Sequence, residues 1–569
     1  MPEPVGAICI VLHGHIPYVL GHSTWPHGSN MIFEAAADTY IPLLWALEEL
    51  AAEGLPANIT LGLTPVTMEQ LADERFAEWF PGYLDTRRWQ AEQNIAEFQH
   101  RGDGHLAWLA QRWEEHYRAL HHSFCERYSR NLLYQFRQHQ DAGRLEVMSS
   151  AATHGYLPLL HEDANVRGQI EQGVATYEQF MGRRPRGFWL PECAYRPRAN
   201  WAPPPPLPRE LPRWRKGLEE ILGCSGYDYF IVDSHMLEPN DPLPVQTAHH
   251  EGLGKLWSRV YRSGDHLWVK TLYRPYFIGH NFEDHPPVAG LFRDPQTSQK
   301  VWSGDVGYPG DGNYLDFHKK HMPGDHRYWR VTDGSGDLGS KQPYHPEWAM
   351  ERISIHAGNF LWTVKETLRH APRPDGRLPL VLSPFDAELF GHWWHEGPRW
   401  LVTTLRWMHH DPELQVMQCR DYLREQEPTA ALALPEGSWG AGGGHWVWLN
   451  EDTRWTWERI YDAERNLQAL FRDHGFGHDE AAQRLICQAC RELLLLEASD
   501  WQFLMTTGSA VDYASHRLHG HHSDFLRCAD LARRYGRGEE LSRDDWAWFG
   551  DLCSRDRIFG SLNPRWFAG

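Results

Sequence analysis

The sequence predicts an α/β barrel that carries a helical insertion and is followed by an all-helical C-terminal region. Two observations support this fold class. Short, nearly continuous apolar segments recur through the first two-thirds of the chain and end in polar residues, which is typical of parallel strands buried on both faces. Several of these segments are separated by helical stretches such as residues 34–51, and this β-then-α alternation favours a parallel barrel.

Eight apolar segments are the predicted strands: 7–15, 58–65, 144–155, 187–195, 227–235, 266–273, 300–310 and 378–394. The C-terminal ends of barrel strands meet at one mouth, where active sites collect. The polar residues at these ends are therefore the candidates for a functional site. They are His13, His15, Thr64, His154, Glu192, Asp233, Asp305, Asp386 and Glu388.

The remaining segments set the predicted domain organisation. The catalytic barrel is expected to comprise residues 1–75 and 144–396. Residues 76–143 are predicted as a helical insertion, because apolar residues from Leu106 onward recur every three or four positions. Residues 397–569 are predicted as an all-α domain for the same reason, with a Gly- and Trp-rich loop at 434–450. Three further segments, rich in turn-forming residues, are predicted as loops: 201–213, 235–256 and 281–298.

Composition narrows the classes of partner. The chain of 569 residues has 56 basic against 75 acidic residues, a net charge of −19, which argues against nucleic acid. It contains no apolar run near the roughly 18 residues that a membrane span needs, and its start does not resemble a signal peptide.

Nine scattered cysteines predict a reducing cytoplasm without a disulfide framework. The 28 tryptophans suggest aromatic faces for sugar rings, although packing explains many of them.

Two strand-end carboxylates point to glycosidic chemistry. A retaining glycosidase uses one carboxylate as nucleophile and a second as acid across an oxocarbenium-like transition state. Glu192 and Asp386 are the candidates, and burial of Asp386 near Trp393 and Trp394 would help it to keep its proton. The structural alternatives are an ion pair between Glu192 and Arg196, and a helix cap by Asp386.

Metal-dependent hydrolysis is the competing chemistry. His13 and His15 have the spacing with which two imidazoles bind one metal, and His154 and Asp386 could complete the ligand set. The sequence contains no HExxH motif. Otherwise these histidines bind sugar hydroxyls or are core residues.

Seven motifs, in order along the chain, resemble glycoside hydrolase family 57. They are HGHIPYV (13–19), GLTP (62–65), THGYLPLL (153–160), GFWLPECAYRP (187–197), VWSGDVGYPG (301–310), SPFDAELFGHWW (383–394) and LPEGSWG…VWLNE (434–451). Within that family the resemblance is to the 1,4-α-glucan branching enzymes with a helical C-terminal domain. It implies an incomplete (β/α)7 TIM-like barrel, no cofactor and no metal.

The resemblance also implies roles for single residues. Glu192 would be the nucleophile and Asp386 the general acid/base. The expected substrate-binding residues are His13, His15, Trp25, His154, Trp302, Asp305, Trp393, Trp439 and Trp448. The implied activity is that of a retaining α-glucan transglycosylase, which cleaves α-1,4 bonds and forms α-1,6 branches.

Three alternatives remain open from the sequence: an α-amylase or 4-α-glucanotransferase using the same site, a metal-dependent hydrolase, and a glycan-binding protein that has lost catalysis. Branching members typically carry a mobile loop with a tyrosine near its tip. Residues 235–256 contain no tyrosine; the nearest are Tyr261, Tyr273 and Tyr276. Either one of these closes over the site, or hydrolysis takes a larger share of the reaction.

Overall fold

A computed structural model describes residues 3–237, 243–244, 270–279, 282, 284–304, 306–374 and 376–569. Within these residues, eleven strands form one sheet and two more form a hairpin. The strands are β1 (Gly6–Gly14), β2 (Ile59–Leu63), β3 (Leu145–Ser150), β4 (Gly187–Trp189), β5 (Ala199–Trp201), β6 (Arg213–Arg215), β7 (Tyr229–Val232), β8 (Leu243–Pro244), β9 (Tyr276–Ile278), β10 (Val288–Phe292), β11 (Leu380–Asp386), β12 (Leu414–Val416) and β13 (Ala430–Leu432).

Seven of the strands are parallel neighbours in the order β11-β1-β2-β3-β4-β7-β10. A parallel bridge joins Arg293, which follows β10, to Leu382 within β11, and Asp294 N–H donates to the Leu382 carbonyl at 2.8 Å. Among the described residues, the ring of strands is closed only at this point. This arrangement confirms the expected incomplete (β/α)7 barrel.

The longest strand, β1, explains how the barrel positions its mouth. All nine of its residues are buried, as expected for a central parallel strand covered on both faces. Its register with β11 places His13 opposite Asp386. A histidine and a carboxylate that are 373 positions apart in sequence are thereby brought to the same edge of the sheet.

Helices surround the barrel and form the rest of the molecule. They are α1 (Ser29–Ala35), α2 (Ile41–Ala52), α3 (Pro65–Ala72), α4 (Glu74–His100), α5 (Gly104–His122), α6 (Leu132–Asp141), α7 (Asp163–Met181), α8 (Leu218–Cys224), α9 (Pro295–Trp302), α10 (Pro346–His370), α11 (Gly397–His410), α12 (Cys419–Glu425), α13 (Arg454–His474), α14 (Glu480–Leu496), α15 (Asp500–Thr506), α16 (Val511–Gly536) and α17 (Arg543–Arg555). No described helix is long and apolar enough to cross a membrane.

The structure corrects several sequence expectations about elements. The described part of 300–310 contains no strand: α9 begins at Pro295 and continues to Trp302, and Asp294 caps it by accepting from Thr297 N–H at 2.7 Å. Strand β10 lies inside the predicted loop 281–298. The predicted strand 266–273 is described only from residue 270. From there on, the first strand to begin is β9, at Tyr276.

The region 397–569 is not helical throughout. Strand β12 pairs with β1 and β13 pairs with β9, so the chain continues to contribute to the main sheet as far as Leu432. These strands have three residues each, too short for a periodic pattern to appear in the sequence. The uninterrupted helical part begins with α13, and the division of the chain into domains stays a prediction.

Candidate active site

A cleft of 480 Å³ opens at the C-terminal ends of the parallel strands. Its lining combines three histidines, four carboxylates, one arginine and four large aromatic rings. These are His13, His15, His154, Glu192, Asp386, Glu388, Asp500, Arg293, Trp302, Trp439, Trp448 and Phe503. Aromatic faces beside hydrogen-bonding groups suit a polyhydroxylated ring substrate.

Glu192 stands just beyond the end of β4. Its backbone adopts φ 60° and ψ 25°, a left-handed conformation that costs a non-glycine residue about 1 kcal/mol or more and is common at functional sites. Its Oε2 accepts a hydrogen bond from Trp439 Nε1 at 2.7 Å. Burial raises the pKa of Glu192 to about 7, and the charge of Asp500 adds to this, while the Trp439 bond and the charge of His15 oppose it.

Asp386 is the last residue of β11 and faces the same cleft. Burial raises the pKa of Asp386 well above its ordinary value, and the charges of Glu388 and Glu192 raise it further, against the opposing charge of Arg293. A carboxyl group whose pKa is raised in this way keeps its proton more readily and can act as a general acid. The charge of Glu192 acts on the ionisation of Asp386, and both side chains line the same cleft.

The three histidines form one stack at the base of the cleft. His15 stacks on His154 at 4.1 Å between ring centroids, and His13 stacks on Trp189 at 4.3 Å. His13 Nε2 lies 3.2 Å from His154 Nε2. Burial lowers the pKa of both His13 and His154, and the charge of His15 lowers them further. These two rings are therefore neutral at physiological pH and form a hydrogen-bonded pair.

Arg293 and two indoles form the wall beside the carboxylates. Trp302 and Trp439 meet edge to face at 5.5 Å, and the guanidinium of Arg293 lies 5.6 Å and 5.7 Å from their rings. Arg293 in turn donates to Asp233 Oδ2 at 3.2 Å. The indole that contacts Glu192 is thus held by a cation fixed from the end of β7.

Comparisons with known proteins show the family of the chain. The family model described as "Glycosyl hydrolase family 57" matches residues 9–435. The chain belongs to glycoside hydrolase family 57. A second model, "1,4-alpha-glucan branching enzyme, C-terminal", matches residues 459–567.

Relatives of this family 57 chain include both branching enzymes and an amylase. A 1,4-alpha-glucan branching enzyme of Thermococcus kodakarensis is 39% identical over 97% of this chain and 77% of its own length. The crystal structure of a family 57 branching enzyme from that organism has a TM-score of 0.87 at 37% identity, covering 99% of this chain and 97% of the other. An alpha-amylase of Thermotoga maritima has a TM-score of 0.80 at 28% identity, covering 99% of each chain.

The cleft of this family 57 chain contains eight of the eleven site residues expected from the sequence: Glu192, Asp386, His13, His15, His154, Trp302, Trp439 and Trp448. Trp25 and Trp393 do not line it; they are 66% and 51% exposed, and the ring of Trp393 packs against Phe317 in a tilted arrangement at 4.2 Å between centroids. Asp305 lies outside the described residues, as does most of the loop 235–256.

The two structural alternatives for the carboxylates find no support. Arg196 lies 3.6 Å from Asp163 in an ion pair of its own. Asp386 precedes a short 3-10 helix (Ala387–Leu389) but makes no side-chain capping bond there. Both carboxylates are consequently available to the cleft.

Sequence reasoning missed Arg293, Asp500 and Phe503 in the lining. Arg293 follows β10, the strand that was predicted as a loop, so its position at a strand end could not be seen. Asp500 and Phe503 come from α15 in the C-terminal helical region, where Asp500 is the first helical residue. An acidic residue at a helix start has an ordinary structural explanation, and no local pattern distinguishes this one.

Proposed function

We propose that this chain is a 1,4-α-glucan branching enzyme that acts through a covalent glycosyl-enzyme. The observation that carries the proposal is that Glu192 and Asp386 lie in one tryptophan-lined cleft of a family 57 barrel. The 39% identity to a branching enzyme and the match to the branching-enzyme C-terminal model support the reaction type. The proposed substrate is an amylose-like α-1,4-glucan.

Glu192 and Asp386 would divide the first step between them. A carboxylate oxygen of Glu192 attacks the anomeric carbon of an internal α-1,4 linkage, and Asp386 gives its proton to the departing O4. The Trp439 N–H bond to Glu192 favours the ionised nucleophile, whereas Glu388 and burial keep Asp386 protonated. The products of this step are a β-glycosyl ester on Glu192 and a free glucan end.

The second step forms the branch. The 6-hydroxyl of another glucan chain attacks the anomeric carbon of the ester, Asp386 takes the hydroxyl proton, and the Glu192 carboxylate is released. Two inversions at the anomeric carbon leave an α-1,6 linkage. The wall of Trp302 and Trp439 would hold the acceptor chain and exclude water.

An α-amylase is the second candidate, favoured by the 28% identity to the Thermotoga maritima amylase. Water would then attack the same ester and release a reducing end. A 4-α-glucanotransferase would use a 4-hydroxyl and regenerate an α-1,4 bond. All three reactions share the first step and differ only in the acceptor.

Analysis of the product from amylose separates these functions. Branching predicts loss of iodine staining, new α-1,6 anomeric protons by NMR, and short linear chains after debranching, with few new reducing ends. A product with reducing ends equal to the bonds broken would identify hydrolysis. Linear chains of redistributed length would identify 4-α-glucan transfer.

The cysteines support a reducing compartment. All nine are free thiols in the structure, and proteins of oxidising compartments usually pair theirs. We therefore propose a cytoplasmic location, where glucan would be the macromolecular partner of the enzyme.

A further inference from the structure

We propose that Ser499 and Asp500, two consecutive residues of the C-terminal helical region, are positioning residues that orient His154 and His15 in the cleft. The inference rests on the proposed function, because its principal readout is the reaction on α-glucan. It gives the C-terminal helical region a part in the chemistry, in addition to its part in lining the cleft. Neither residue is at a barrel strand end.

Asp500 contacts His15 through both oxygens of its carboxylate. His15 Nε2 lies 3.1 Å from Oδ1 and 3.1 Å from Oδ2. The other ring nitrogen, Nδ1, lies 3.0 Å from Thr64 Oγ1, so both edges of the imidazole face oxygen atoms. The ring orientation is thereby determined jointly by the barrel and by α15.

Ser499 makes the equivalent contact to the neighbouring ring. Its Oγ lies 2.9 Å from His154 Nδ1, while His154 Nε2 faces His13 Nε2 at 3.2 Å. Ser499 N–H also donates to the His154 carbonyl at 3.3 Å. With a partner at each ring nitrogen, the imidazole cannot rotate without losing a hydrogen bond, so Ser499 fixes the orientation of the His154 ring.

The segment that carries both residues is firmly attached to the barrel. Ala498 forms a bridge with Gly155, and Glu497 accepts hydrogen bonds from Asn165 and Gln169 at 3.1 Å and 2.9 Å. Ser499 is buried and Asp500 is largely buried. A residue attached in this way can impose an orientation on its partner without itself moving.

The charges around His15 explain what its orientation achieves. Asp500 faces it from α15, Glu388 from the end of β11, and Glu192 from the end of β4, whereas His13 and His154 are neutral neighbours. Burial disfavours a charge on His15, but Asp500, Glu388 and Glu192 together outweigh it and raise the pKa of His15, with Asp500 first among them. The raised pKa favours the charged form of His15, and a charge on His15 in turn favours ionised Glu192.

Asp500→Asn tests the charge while its amide oxygen can still accept from His15. We expect kcat on amylose to fall tenfold or more, with a smaller change in KM. The charge of Asp500 raises the pKa of Glu192, so removing it should move the acid limb of the pH profile, which reports ionisation of Glu192, to lower pH. Asp512→Asn is the matched control, because Asp512 is also in the first turn of its helix, α16, but is exposed. It should leave kcat and the pH profile unchanged.

Ser499→Ala tests the orientation of the His154 ring separately. We expect kcat to fall severalfold at constant unfolding temperature, whereas Ser509→Ala, at an exposed serine of the same region, should match wild type. Wild-type kcat and pH profiles in both Ser499→Ala and Asp500→Asn would overturn the inference. Losses of kcat in the controls Asp512→Asn and Ser509→Ala as large as those in the test variants would also overturn it.

A titration that does not depend on activity distinguishes failure of the inference from failure of the proposed function. NMR of histidine-labelled protein should show a lower His15 pKa in Asp500→Asn than in wild type. If wild-type protein makes no product from amylose, the proposed function fails, and this titration still decides the inference. An unchanged His15 pKa would overturn it.

Discussion

Trp439 donates its indole N–H to Glu192 Oε2 at 2.7 Å, joining the Gly- and Trp-rich loop to the end of barrel strand β4. The contact is reinforced by a backbone bond, since Trp439 N–H donates to the Glu192 carbonyl at 3.1 Å. The residue proposed as nucleophile is therefore held by a segment almost 250 positions away in sequence. A hydrogen bond to the ionised form of a carboxylate lowers its pKa.

Trp439→Phe should move the acid limb of the kcat/KM profile to higher pH. Glu192 must be ionised to attack, and its pKa of about 7 already includes the lowering effect of the indole bond. A hydrogen bond to a charged group contributes about 1.5 kcal/mol or more, which corresponds to about one pH unit. The measurement is the pH dependence of initial rates on amylose.

Trp302→Phe is the control for this prediction. Trp302 lines the same cleft, but its Nε1 donates to the Pro384 carbonyl at 3.2 Å. Its replacement should raise KM through the lost ring face without moving the acid limb. Equal shifts of the limb in both variants would contradict the role of the Trp439–Glu192 bond.

Gly391→Ala should destabilise the protein by about 3 kcal/mol or more. Gly391 has φ +112°, and a Cβ at this position would lie 1.8 Å from the backbone oxygen of Asp38. The backbone must shift to relieve this collision. Gly102→Ala provides the comparison, because Gly102 has φ +76° with nothing within 4 Å of its Cβ position.

An alanine in the left-handed backbone conformation of Gly102 costs about 1 kcal/mol by itself. Gly102→Ala should therefore lose only this much stability. Thermal unfolding of the two variants beside wild type measures the difference. Equal unfolding temperatures for Gly391→Ala and Gly102→Ala would show that the close approach to Asp38 contributes nothing.

His395→Gln should weaken the dependence of stability on acidic pH. Burial, with the charges of Arg327 and His116, lowers the pKa of His395 to about 3. Between pH 6.5 and 3 the unfolded chain therefore binds a proton that the folded protein excludes, and wild-type stability is lost as pH falls through this window. Each pH unit below 6.5 costs about 1.36 kcal/mol of unfolding free energy, so by pH 5 His395 has cost the wild type about 2 kcal/mol.

The free-energy difference between wild type and His395→Gln should therefore shift by about 2 kcal/mol in favour of the variant between pH 7 and pH 5. Denaturant unfolding at the two pH values measures it. His100→Gln, at an exposed histidine, should show no such shift. A pH-independent difference for His395→Gln would contradict a neutral buried imidazole at this position.

The barrel and its two central carboxylates could be predicted because both lie at the ends of long apolar strands. Strand β11 has six buried residues before Asp386, a pattern visible in the sequence alone. Strand β10 could not be separated from the surrounding loop, because its five residues stand between proline-rich and polar flanks. A strand at 300–310 was wrongly predicted, although Asp294-Pro295 indicates a helix start just before it. Aspartate is a common capping residue, and proline is favoured at the first helical position.

The contributions of the C-terminal region could not be predicted for a different reason. Asp500 reaches His15 across 485 positions of sequence, and no periodicity or local motif encodes so distant a contact. The loop with Trp439 could be linked to the groove only through the family resemblance. Asp500 has the sequence context of an ordinary exposed residue at a helix start, and only tertiary packing brings it into the cleft.

The most direct test of the central claim, that Glu192 is the nucleophile and Asp386 the acid/base, is azide rescue followed by NMR of the product. With α-glucosyl fluoride and azide, Glu192→Ala should form β-glucosyl azide, because azide occupies the nucleophile's place and inverts the anomeric carbon once. Asp386→Ala should form α-glucosyl azide, because azide then attacks the ester on Glu192. The opposite assignment of configurations, or wild-type turnover of amylose by either variant without azide, would contradict the account.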